Sequence, residues 1–559
     1  MVKISKKEIA KLVAVILLAG CANQLPPGGG EVDKIPPEVV EVYPPDGTIN
    51  YDEDYFEVDF SEYVDKRSFK DALFISPFAE GRLNYDWTGT GVTIEFTEGL
   101  KKNTTYTITI GTDVVDRNNR NRMAESFTFS FSTGNQIDKN SISGKVYGSN
   151  KEGVLIFAYK ITETNKDTLL NGKPDYISQT GNDGSYKLTG LAPANYRIFA
   201  VKDEFRDLIY DLNQDMIGIP PEDILFTTND TSFTGLNFRL FKADTTAPRM
   251  LKAIMTDERH ILLSLSEAVN GNSVNRKNFF LFDSTAAEKS GAEFVYRRIN
   301  KKDELVIVAD KSFPPDNYVY LTAKSLTDSS GNSYKNDFIN LTISDKPDTT
   351  PPSLVLTVPP KNSSSVDFNH TQINFYFDDA FSKENLQKSI TFSDTLGRVV
   401  PFKILQSDDA TLSVAPLKKL KPDKNYRIKI DLSAVKDFNG NVTDSVYVYG
   451  FRTMSGLDFT GVSGEIINVQ LDDNPILILE NVEDHIHIYQ KELKSDNFEF
   501  KKIVAGKYIL WCFLDKNNNH KYDFGWPQPI KFAEKFSFYP DTLKLKPRWE
   551  ITDVKFEYK

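Results

Sequence analysis

A short polar loop near the carboxyl end carries the residue types that bind a hard cation. Asp515, Asn517 and Asn519 stand at alternate positions, and Asp523 follows four residues later. Ca²⁺ takes roughly six to eight oxygen ligands, and alternate residues of a tight loop can point their oxygens inward together. The loop therefore predicts a calcium site. It is not an EF-hand, because Trp526 stands where the bidentate glutamate would be. A polar turn held by Asx hydrogen bonds explains the same residues without metal.

The frame of this loop occurs a second time, earlier in the chain. Asp203, Asp207 and Asp211 keep the acidic spacing, whereas Phe205 replaces the residue equivalent to Asn517. A repeated frame that loses a ligand favours a structural loop. Any metal would then belong to the later copy.

Other residues that could bind a metal or act in catalysis give weaker signals. His485 and His487 flank one residue, so a strand would place both on one face, as zinc ligands sometimes are. A solvent-facing strand edge is the favoured reading. Cys512 lies in an apolar run, 508–514, which favours a small buried hydrophobe over a catalytic thiol. The chain has neither His-Glu-x-x-His nor Gly-x-Ser-x-Gly, so the sequence nominates no catalytic residue.

The amino terminus has the pattern of a secretory signal peptide. A lysine-rich start precedes a short apolar run, 12–19, which is too short for a comfortable membrane span. The run ends in Leu18-Ala19-Gly20-Cys21, which resembles a bacterial lipobox. The resemblance implies that residues 1–20 are removed, that the thiol of Cys21 receives a diacylglycerol, and that its new amino group is acylated. An ordinary signal peptide with an incidental cysteine is the alternative.

Short acidic-hydroxyl steps recur along the chain. Each has the form Asp-(Ser/Thr)-(Leu/Val/Thr), and the pattern resembles the O-glycosylation acceptor of envelope proteins in Bacteroidota. The resemblance implies modification at one or more of Thr168, Thr245, Ser284, Thr349, Thr395, Ser445 and Thr542.

Composition bounds the architecture that must position these groups. A chain of 559 residues suggests roughly three to five domains. Its 39 Phe and 25 Tyr favour strands over helices. The net charge of −11 argues against nucleic acid as a partner. We expect no membrane attachment besides the lipid, because no second apolar segment approaches the length of a span.

Three segments share one strand pattern. Each opens on a proline-containing signal and soon reaches an alternating strand that ends in acidic residues, at 58–62, 263–267 and 375–379. A tyrosine-bearing strand and a polar turn follow. The pattern resembles the bacterial Ig-like domains first described in surface-layer proteins, the SbsA-like or Big family. The resemblance implies seven-stranded β-sandwiches at 36–136, 244–346 and 347–455, of which the middle one is the least regular.

The remaining two segments form a second repeat. Ser143-Gly144-Lys145-Val146 matches Ser463-Gly464-Glu465-Ile466, and a tyrosine-bearing strand follows in each. These motifs resemble carboxypeptidase regulatory-like and collagen-adhesin B-type domains, which are accessory prealbumin-like sandwiches. The resemblance places such domains at 137–243 and 456–559. Residues 21–35, rich in Pro and Gly, form a flexible tether.

The predicted fold class is therefore all-β, a tandem array of Ig-like and prealbumin-like β-sandwiches behind a lipoprotein signal peptide. We expect the domains to follow one another like beads on a rod. This organisation predicts a non-enzymatic cell-envelope lipoprotein of a Bacteroidota type, which acts as a scaffold or adhesion module or as a subunit of an outer-membrane complex. The expected partners are the membrane, through the lipid anchor, and an envelope protein or glycan.

An enzyme remains the alternative, either an envelope glycan hydrolase or a peptidase with Ig-like spacers. Once five repeats are assigned, no block of catalytic size is left. Ala22-Asn23 lacks both the Asp that retains lipoproteins at the inner membrane in well-studied proteobacteria and the acidic cluster associated with surface export. These absences favour the outer membrane, with the periplasmic face ahead of the cell surface.

Overall fold

Strands dominate the chain, as its content of aromatic residues predicts. The computed structural model describes residues 33–77, 81–227, 232–384, 386–405, 408–483 and 487–559. The predicted signal peptide, Cys21, most of the tether, and His485 lie outside these residues. The described part consists of strands with a few short helices, so the predicted all-β class of tandem β-sandwiches is confirmed.

Two compact units make up the chain. The first contains the described residues up to Tyr210 together with Glu222–Leu240, and the second contains Asp211–Pro221 together with Phe241–Lys559. Among the described residues, each of the five predicted domain ranges contains its own apolar cluster.

The first Ig-like segment is a sandwich of two antiparallel sheets. Its sheets have the strand orders β1-β2-β5-β4 and β3-β6-β7. Alternation in β2 buries Phe56, Val58 and Phe60 between the sheets, as the period of two predicts. The elements are β1 (Val39–Tyr43), β2 (Tyr55–Phe60), α1 (Lys66–Asp71), β3 (Leu73–Ser76), β4 (Leu83–Thr88), β5 (Gly91–Phe96), β6 (Thr105–Ile110) and β7 (Phe127–Ser132).

The first regulatory-like segment places its opening strand at the centre of one sheet. That strand, β8, pairs antiparallel with β11 and parallel with β15 and β16. A second sheet has the order β10-β9-β12, with β14 also on β12. In the second unit, β13 pairs with β17. The elements are β8 (Asn140–Tyr147), β9 (Leu155–Lys160), β10 (Tyr176–Gln179), β11 (Ser185–Leu191), β12 (Asn195–Lys202), β13 (Met216–Gly218), β14 (Ile224–Leu225), β15 (Ser232–Thr234), β16 (Phe238–Arg239) and β17 (Phe241–Lys242).

The second Ig-like segment forms one continuous sheet of seven strands. Its order is β18-β19-β22-β21-β20-β23-β24. The ten-residue strand β21 joins the two halves, because one end pairs with β20 and the other with β22. The elements are β18 (Met250–Met255), β19 (His260–Leu265), β20 (Phe279–Asp283), β21 (Glu288–Arg297), β22 (Glu304–Ala309), β23 (Val319–Thr327) and β24 (Ser333–Leu341).

The third Ig-like segment returns to two sheets. Their orders, β25-β26-β29-β28 and β27-β30-β31, match those of the first segment. The elements are β25 (Leu354–Val358), β26 (Ile373–Phe377), α2 (Leu386–Ser389), β27 (Ile390–Asp394), β28 (Phe402–Leu405), β29 (Thr411–Pro416), β30 (Asn425–Asp431) and β31 (Val446–Arg452).

The carboxyl-terminal segment repeats the topology of the first regulatory-like segment. Its opening strand β32 lies between antiparallel β35 and parallel β41, and the second sheet has the order β34-β33-β36-β39, with β40 on β36. The elements are β32 (Phe459–Ile467), β33 (Pro475–Asn481), β34 (Ile488–Glu492), β35 (Asn497–Val504), β36 (Gly506–Leu514), β37 (Trp526–Pro527), β38 (Ile530–Lys531), β39 (Phe536–Phe538), β40 (Leu543–Leu545) and β41 (Ile551–Glu557). Single 3₁₀ turns occur at Leu169–Asn171, Gly271–Ser273, Arg276–Asn278, Leu432–Ala434 and Leu471–Asp473.

Within the second unit, Asp211–Pro221 packs against the carboxyl-terminal segment. The N–H of Ala533 donates to the carbonyl of Pro220 at 3.1 Å, and the rings of Phe241 and Phe524 lie 5.5 Å apart. About three hundred residues separate these partners in sequence. This contact joins two parts of the second unit that are far apart in the chain.

Candidate functional site

The predicted calcium loop follows β36, which delivers its first residue from the core. Asp515 is 1% exposed, and its two oxygens accept the N–H groups of Asn519 (3.1 Å) and His520 (2.9 Å). The amides of Asn517 and Asn519 both donate to Oδ2 of Asp523. The structure therefore brings all four predicted ligands, Asp515, Asn517, Asn519 and Asp523, into one loop.

Glu534 completes this loop and was missed by the sequence reasoning. It is 5% exposed, and it accepts the N–H groups of Lys516 (3.0 Å) and Asp523 (3.1 Å). Burial, with the charges of Asp523 and Asp515, raises the pKa of Glu534 to about 7 despite these two donors. An acidic residue inside the apolar stretch 532–538 was the available signal.

The arrangement has two chemical readings. Three carboxylates and two amides around one loop are hard oxygen ligands of the kind that Ca²⁺ takes. In the described geometry, however, the amide nitrogens face Asp523, and the loop oxygens accept hydrogen bonds from the loop itself. Cation binding would require both amides to rotate. The calcium site stays a prediction, beside the Asx-bonded turn.

The first copy of the frame is also an Asx-bonded turn. Asp203 accepts the N–H groups of Arg206 (2.6 Å) and Leu208 (2.8 Å), and Phe205 is 65% exposed. The side chain that replaces a ligand therefore lies in solvent.

The remaining predicted groups are scattered. Cys512 is fully buried in β36, and burial raises the pKa of its thiol well above the ordinary range, which fits the predicted inert hydrophobe. His487 is half-buried, and its predicted partner His485 lies outside the described residues, as does Cys21. The seven hydroxyl residues are all exposed, which permits modification without testing it: Thr168, Thr245, Ser284, Thr349, Thr395, Ser445 and Thr542.

Each Ig-like segment contains one repeated contact that the sequence reasoning did not use. An asparagine after the tyrosine-bearing strand donates its side-chain amide to the backbone oxygen of an aspartate that opens the segment. The pairs are Asn121 with Asp33 (3.0 Å), Asn332 with Asp244 (2.8 Å) and Asn441 with Asp348 (3.2 Å). The contact ties the entering chain to the sandwich.

Carboxylates gather around this contact. In the second Ig-like segment, ligand oxygens of Asp244, Glu267 and Asp328 lie within 4.8 Å of one another. Burial, with the charges of Asp244 and Asp328, raises the pKa of Glu267. Such a group could share a proton or hold a cation. The acidic end of the alternating strand, noted at 263–267, was its sequence signal.

In the third Ig-like segment the equivalent group includes a histidine from the segment before it. His260 Nδ1 lies 2.9 Å from Asp257 Oδ1, and Nε2 lies 3.0 Å from Asp379 Oδ1. Asp348 is near enough to complete a cluster with His260 and Asp379. Burial alone would lower the pKa of this imidazole, but the hydrogen bonds with Asp257 and Asp379 outweigh it and raise the pKa of His260 to about 10. At neutral pH the side chain is an imidazolium held between two carboxylates.

The comparison with protein families identifies the fold of two segments. A model described as a bacterial Ig-like domain matches residues 33–133 and 348–453. The chain contains bacterial Ig-like domains. This part of the predicted resemblance is confirmed, whereas the regulatory-like and lipoprotein resemblances stay predictions. No curated protein matches the chain.

Similar solved structures include bacterial S-layer proteins. Domains 1–6 of the surface layer protein SbsC align over 98% of this chain and 70% of that one at 10% identity, with a TM-score of 0.14. The N-terminal part of SbsC aligns over 37% of this chain at 11% identity and a TM-score of 0.17, and the chain spans only 44% of it. CopC from Methylosinus trichosporium OB3b aligns over 19% of this chain and 95% of its own at 16% identity and a TM-score of 0.15.

In the described ranges, every helix is too short or too polar to cross a bilayer.

Proposed function

We propose that the chain is a non-enzymatic cell-envelope lipoprotein whose β-sandwiches form a scaffold for binding an envelope protein or glycan. The observation that carries this proposal is that, within each of the two units, consecutive segments share buried contacts that hold two sandwiches together. A scaffold needs such contacts, because flexible linkers alone would let the sandwiches reorient freely.

In the first unit, Gln179 at the end of β10 is the centre of one shared contact. It is 1% exposed, and its amide nitrogen donates to Asp113 Oδ2 and to the carbonyl of Gly153, both at 3.1 Å. Thr112 donates to its side-chain oxygen at 3.3 Å. A buried amide with partners on both sandwiches fixes their orientation, since an unpaired amide there would cost about 1–3 kcal/mol.

In the second unit, an apolar cluster lies between the second and third Ig-like segments. Tyr296 and Val308 from one segment pack with Ala380 and Ala410 from the other. The hydroxyl of Tyr296 donates to Asp379 Oδ1 at 3.2 Å, beside the imidazolium of His260. Apolar burial and charged hydrogen bonds therefore act at the same junction.

The His260 cluster supports a structural role over a catalytic one. Both ring nitrogens already bind carboxylates, and the raised pKa keeps the ring protonated at neutral pH. A general base needs a free nitrogen and a pKa near the working pH. The family that matches is an Ig-like domain, which is not a catalytic family.

The proposed anchor is a lipid on Cys21, at the outer membrane with the periplasmic face favoured. Its support is the lysine-rich start, the short apolar run and Leu18-Ala19-Gly20-Cys21. Several acyl chains would hold the chain firmly on a bilayer.

The anchor is tested by growing cells with an alkyne-tagged fatty acid and labelling the isolated chain. We expect label in the wild type and in Cys512→Ser, and none in Cys21→Ser. Label that persists in Cys21→Ser contradicts the anchor. Protease treatment of intact cells then reports the face of the membrane, since a periplasmic chain survives it.

The scaffold itself is tested by crosslinking in cells and purification of the full chain in detergent, with a glycan array in parallel. We expect one stoichiometric envelope protein or a defined set of glycans. Recovery of neither contradicts the scaffold proposal. Release of sugars or peptides by the purified chain would favour the enzyme instead.

A further inference from the structure

A cleft of about 350 Å³ opens on the first Ig-like segment, beside α1. Tyr63, Lys66, Trp87 and Arg117 are among the residues that line it. Tyr63 is 56% exposed, so its ring is open to a ligand in the cleft.

Two cations of the cleft form no ion pair with another described residue. Lys66 and Arg117 are exposed, and neither forms an ion pair with any carboxylate in the described ranges. Lys66 Nζ lies 5.3 Å from the centre of the Trp87 ring. The Nε1 of Trp87 is buried and has no hydrogen-bond partner among the described residues. One carboxylate lines the cleft, that of Asp65, and it already accepts the N–H of Ser68 at 2.8 Å.

The surface of the third Ig-like segment that is equivalent to this cleft contacts a neighbouring segment. Two backbone hydrogen bonds of the first segment recur in the third and align the two. The bond from the N–H of Phe60 to the carbonyl of Thr90 matches that from Phe377 to Ala410. The bond from the N–H of Asp65 to the carbonyl of Val115 matches that from Ser382 to Lys436. The alignment makes Ala380, Ala410 and Phe438 the counterparts of Tyr63, Thr90 and Arg117. In the third segment this face is a binding surface, because Tyr296 packs on Ala380 and the ring of Phe294 lies 6.5 Å from that of Phe438.

The substitutions at these positions change what the face can bind. The small apolar side chains of Ala380 and Ala410 let the sheet of the second Ig-like segment pack closely against the third. Tyr63 and Arg117 replace that surface with a ring, a cation and an open cleft. A cleft with an exposed ring and two cations that form no ion pair with a described residue fits a small anion with an apolar C–H face better than a flat apolar partner.

We propose that this cleft binds an acidic sugar unit of an envelope glycan. The carboxylate of the sugar pairs with Lys66 and Arg117, and the C–H face of its ring packs on Tyr63. The proposal rests on the proposed function, since it names the partner class of a binding module.

The test is affinity electrophoresis of the full chain in gels that contain polygalacturonate, hyaluronate or alginate, with neutral dextran as the reference. We expect retardation by at least one acidic polysaccharide, none by dextran, and weakening at high salt because the contact is ionic. Lys66→Gln/Arg117→Gln should weaken binding by about tenfold or more. Tyr63→Ala should weaken it independently of salt.

The matched control is Arg82→Gln/Lys102→Gln, which removes the same charge from exposed positions of the same segment outside the cleft. We expect it to change affinity less than about twofold. Retardation by none of the three polysaccharides overturns the proposal, and so does equal weakening by the control. Binding to anionic phospholipid vesicles through Lys66 and Arg117, without polysaccharide binding, overturns it in favour of a membrane contact. If the cleft fails while crosslinking recovers a stoichiometric envelope protein, the scaffold proposal stands.

Discussion

At the scale of single residues, His260 makes the contact between the second and third Ig-like segments depend on pH. The hydrogen bonds with Asp257 and Asp379 raise its pKa to about 10, against about 6.5 in an unfolded chain. A raised pKa means that its stabilisation is complete below about pH 6.5 and is lost as the pH rises toward 10. We expect denaturant unfolding of this part of the chain to show that decline.

The variant His260→Gln checks the origin of this pH dependence. It should cost about 2–4 kcal/mol at pH 6, because it leaves two partly buried carboxylates without their cation. It should also flatten the pH dependence above pH 6.5. His370→Gln is the control, since that histidine is exposed and pairs only with Asp367 three residues before it. An unchanged slope in His260→Gln contradicts the assignment.

The two interpretations of the loop at Asp515, a Ca²⁺ site and an Asx-bonded turn, predict different effects of Glu534 on stability. Burial and neighbouring charges raise the pKa of Glu534 to about 7, so without a cation the contribution of this group to stability is complete below about pH 4.5 and is lost as the pH rises through 7. If the loop binds Ca²⁺, the ion offsets this repulsion. Saturating Ca²⁺ should then raise the stability of the carboxyl-terminal segment at pH 8 by about 2–3 kcal/mol relative to a chelator.

Asp523→Asn should abolish the gain from Ca²⁺, whereas Asp203→Asn, in the incomplete first copy, should preserve it. Differential scanning calorimetry with Ca²⁺ or chelator measures both. An equal midpoint with and without Ca²⁺ in the wild type would leave the Asx-bonded turn as the reading of the loop.

Spacing along the sequence predicted part of these sites. Asp515, Asn517, Asn519 and Asp523 belong to one loop, so their alternation alone brought them together. Glu534 comes from beyond the hairpin of β37 and β38, and no local spacing relates it to the loop. His260 and Asp379 stand 119 residues apart and meet only when two sandwiches pack.

At the scale of elements, the repeated Ser-Gly step has a steric cause. A Cβ at Gly144 in β8 would lie 1.8 Å from the backbone oxygen of Leu236, and one at Gly464 in β32 would lie 2.0 Å from that of Val554. In both segments the chain near the parallel carboxyl-terminal strand approaches the opening strand too closely for any side chain. The motif is therefore a packing requirement.

Gly144→Ala should destabilise the first regulatory-like segment by about 3 kcal/mol or more, because backbone atoms on both strands must move. Gly172→Ala is the control in the same segment, since its Cβ would meet nothing within 4 Å and its φ of −129° suits any residue. That change should stay within about 0.5 kcal/mol. Urea unfolding measures both, and similar values for the two variants would contradict the steric account.

Alternation predicted the strands better than it predicted their sheets. The pattern at 58–62 and 375–379 reads directly as β2 and β26, each with its apolar residues inward. The continuous sheet of the second Ig-like segment depends on β21, whose ten residues pair with two different strands. The pairing of a long strand depends on its partner strands. The sequence pattern of β21 alone therefore does not predict that it pairs with both β20 and β22.

At the scale of the whole molecule, the sequence predicted five repeats because each repeat buries its own core. It did not predict that Asp211–Pro221 packs on the carboxyl-terminal segment. The contact includes a backbone hydrogen bond to Pro220. Strand β17, which pairs with β13 of this segment, adds the contact between the rings of Phe241 and Phe524. Contacts between repeats leave little trace in the pattern, since any exposed apolar residue can serve them.

That contact predicts a coupling between distant parts of the chain. The ring of Phe524 lies 5.5 Å from that of Phe241 and 5.0 Å from that of Tyr522, while a Cβ at Gly525 would already touch Ile219 at 3.0 Å. Phe524→Ala removes the aromatic contact and should loosen Asp211–Pro221. We expect amide hydrogen exchange in that segment to rise about tenfold or more, because local opening there would cost about 1.4 kcal/mol less.

Phe438→Ala truncates an aromatic ring at the other junction of the same unit and should leave exchange in Asp211–Pro221 unchanged. Faster exchange in both variants would indicate general destabilisation, and unchanged exchange in Phe524→Ala would show that the segment is held from elsewhere.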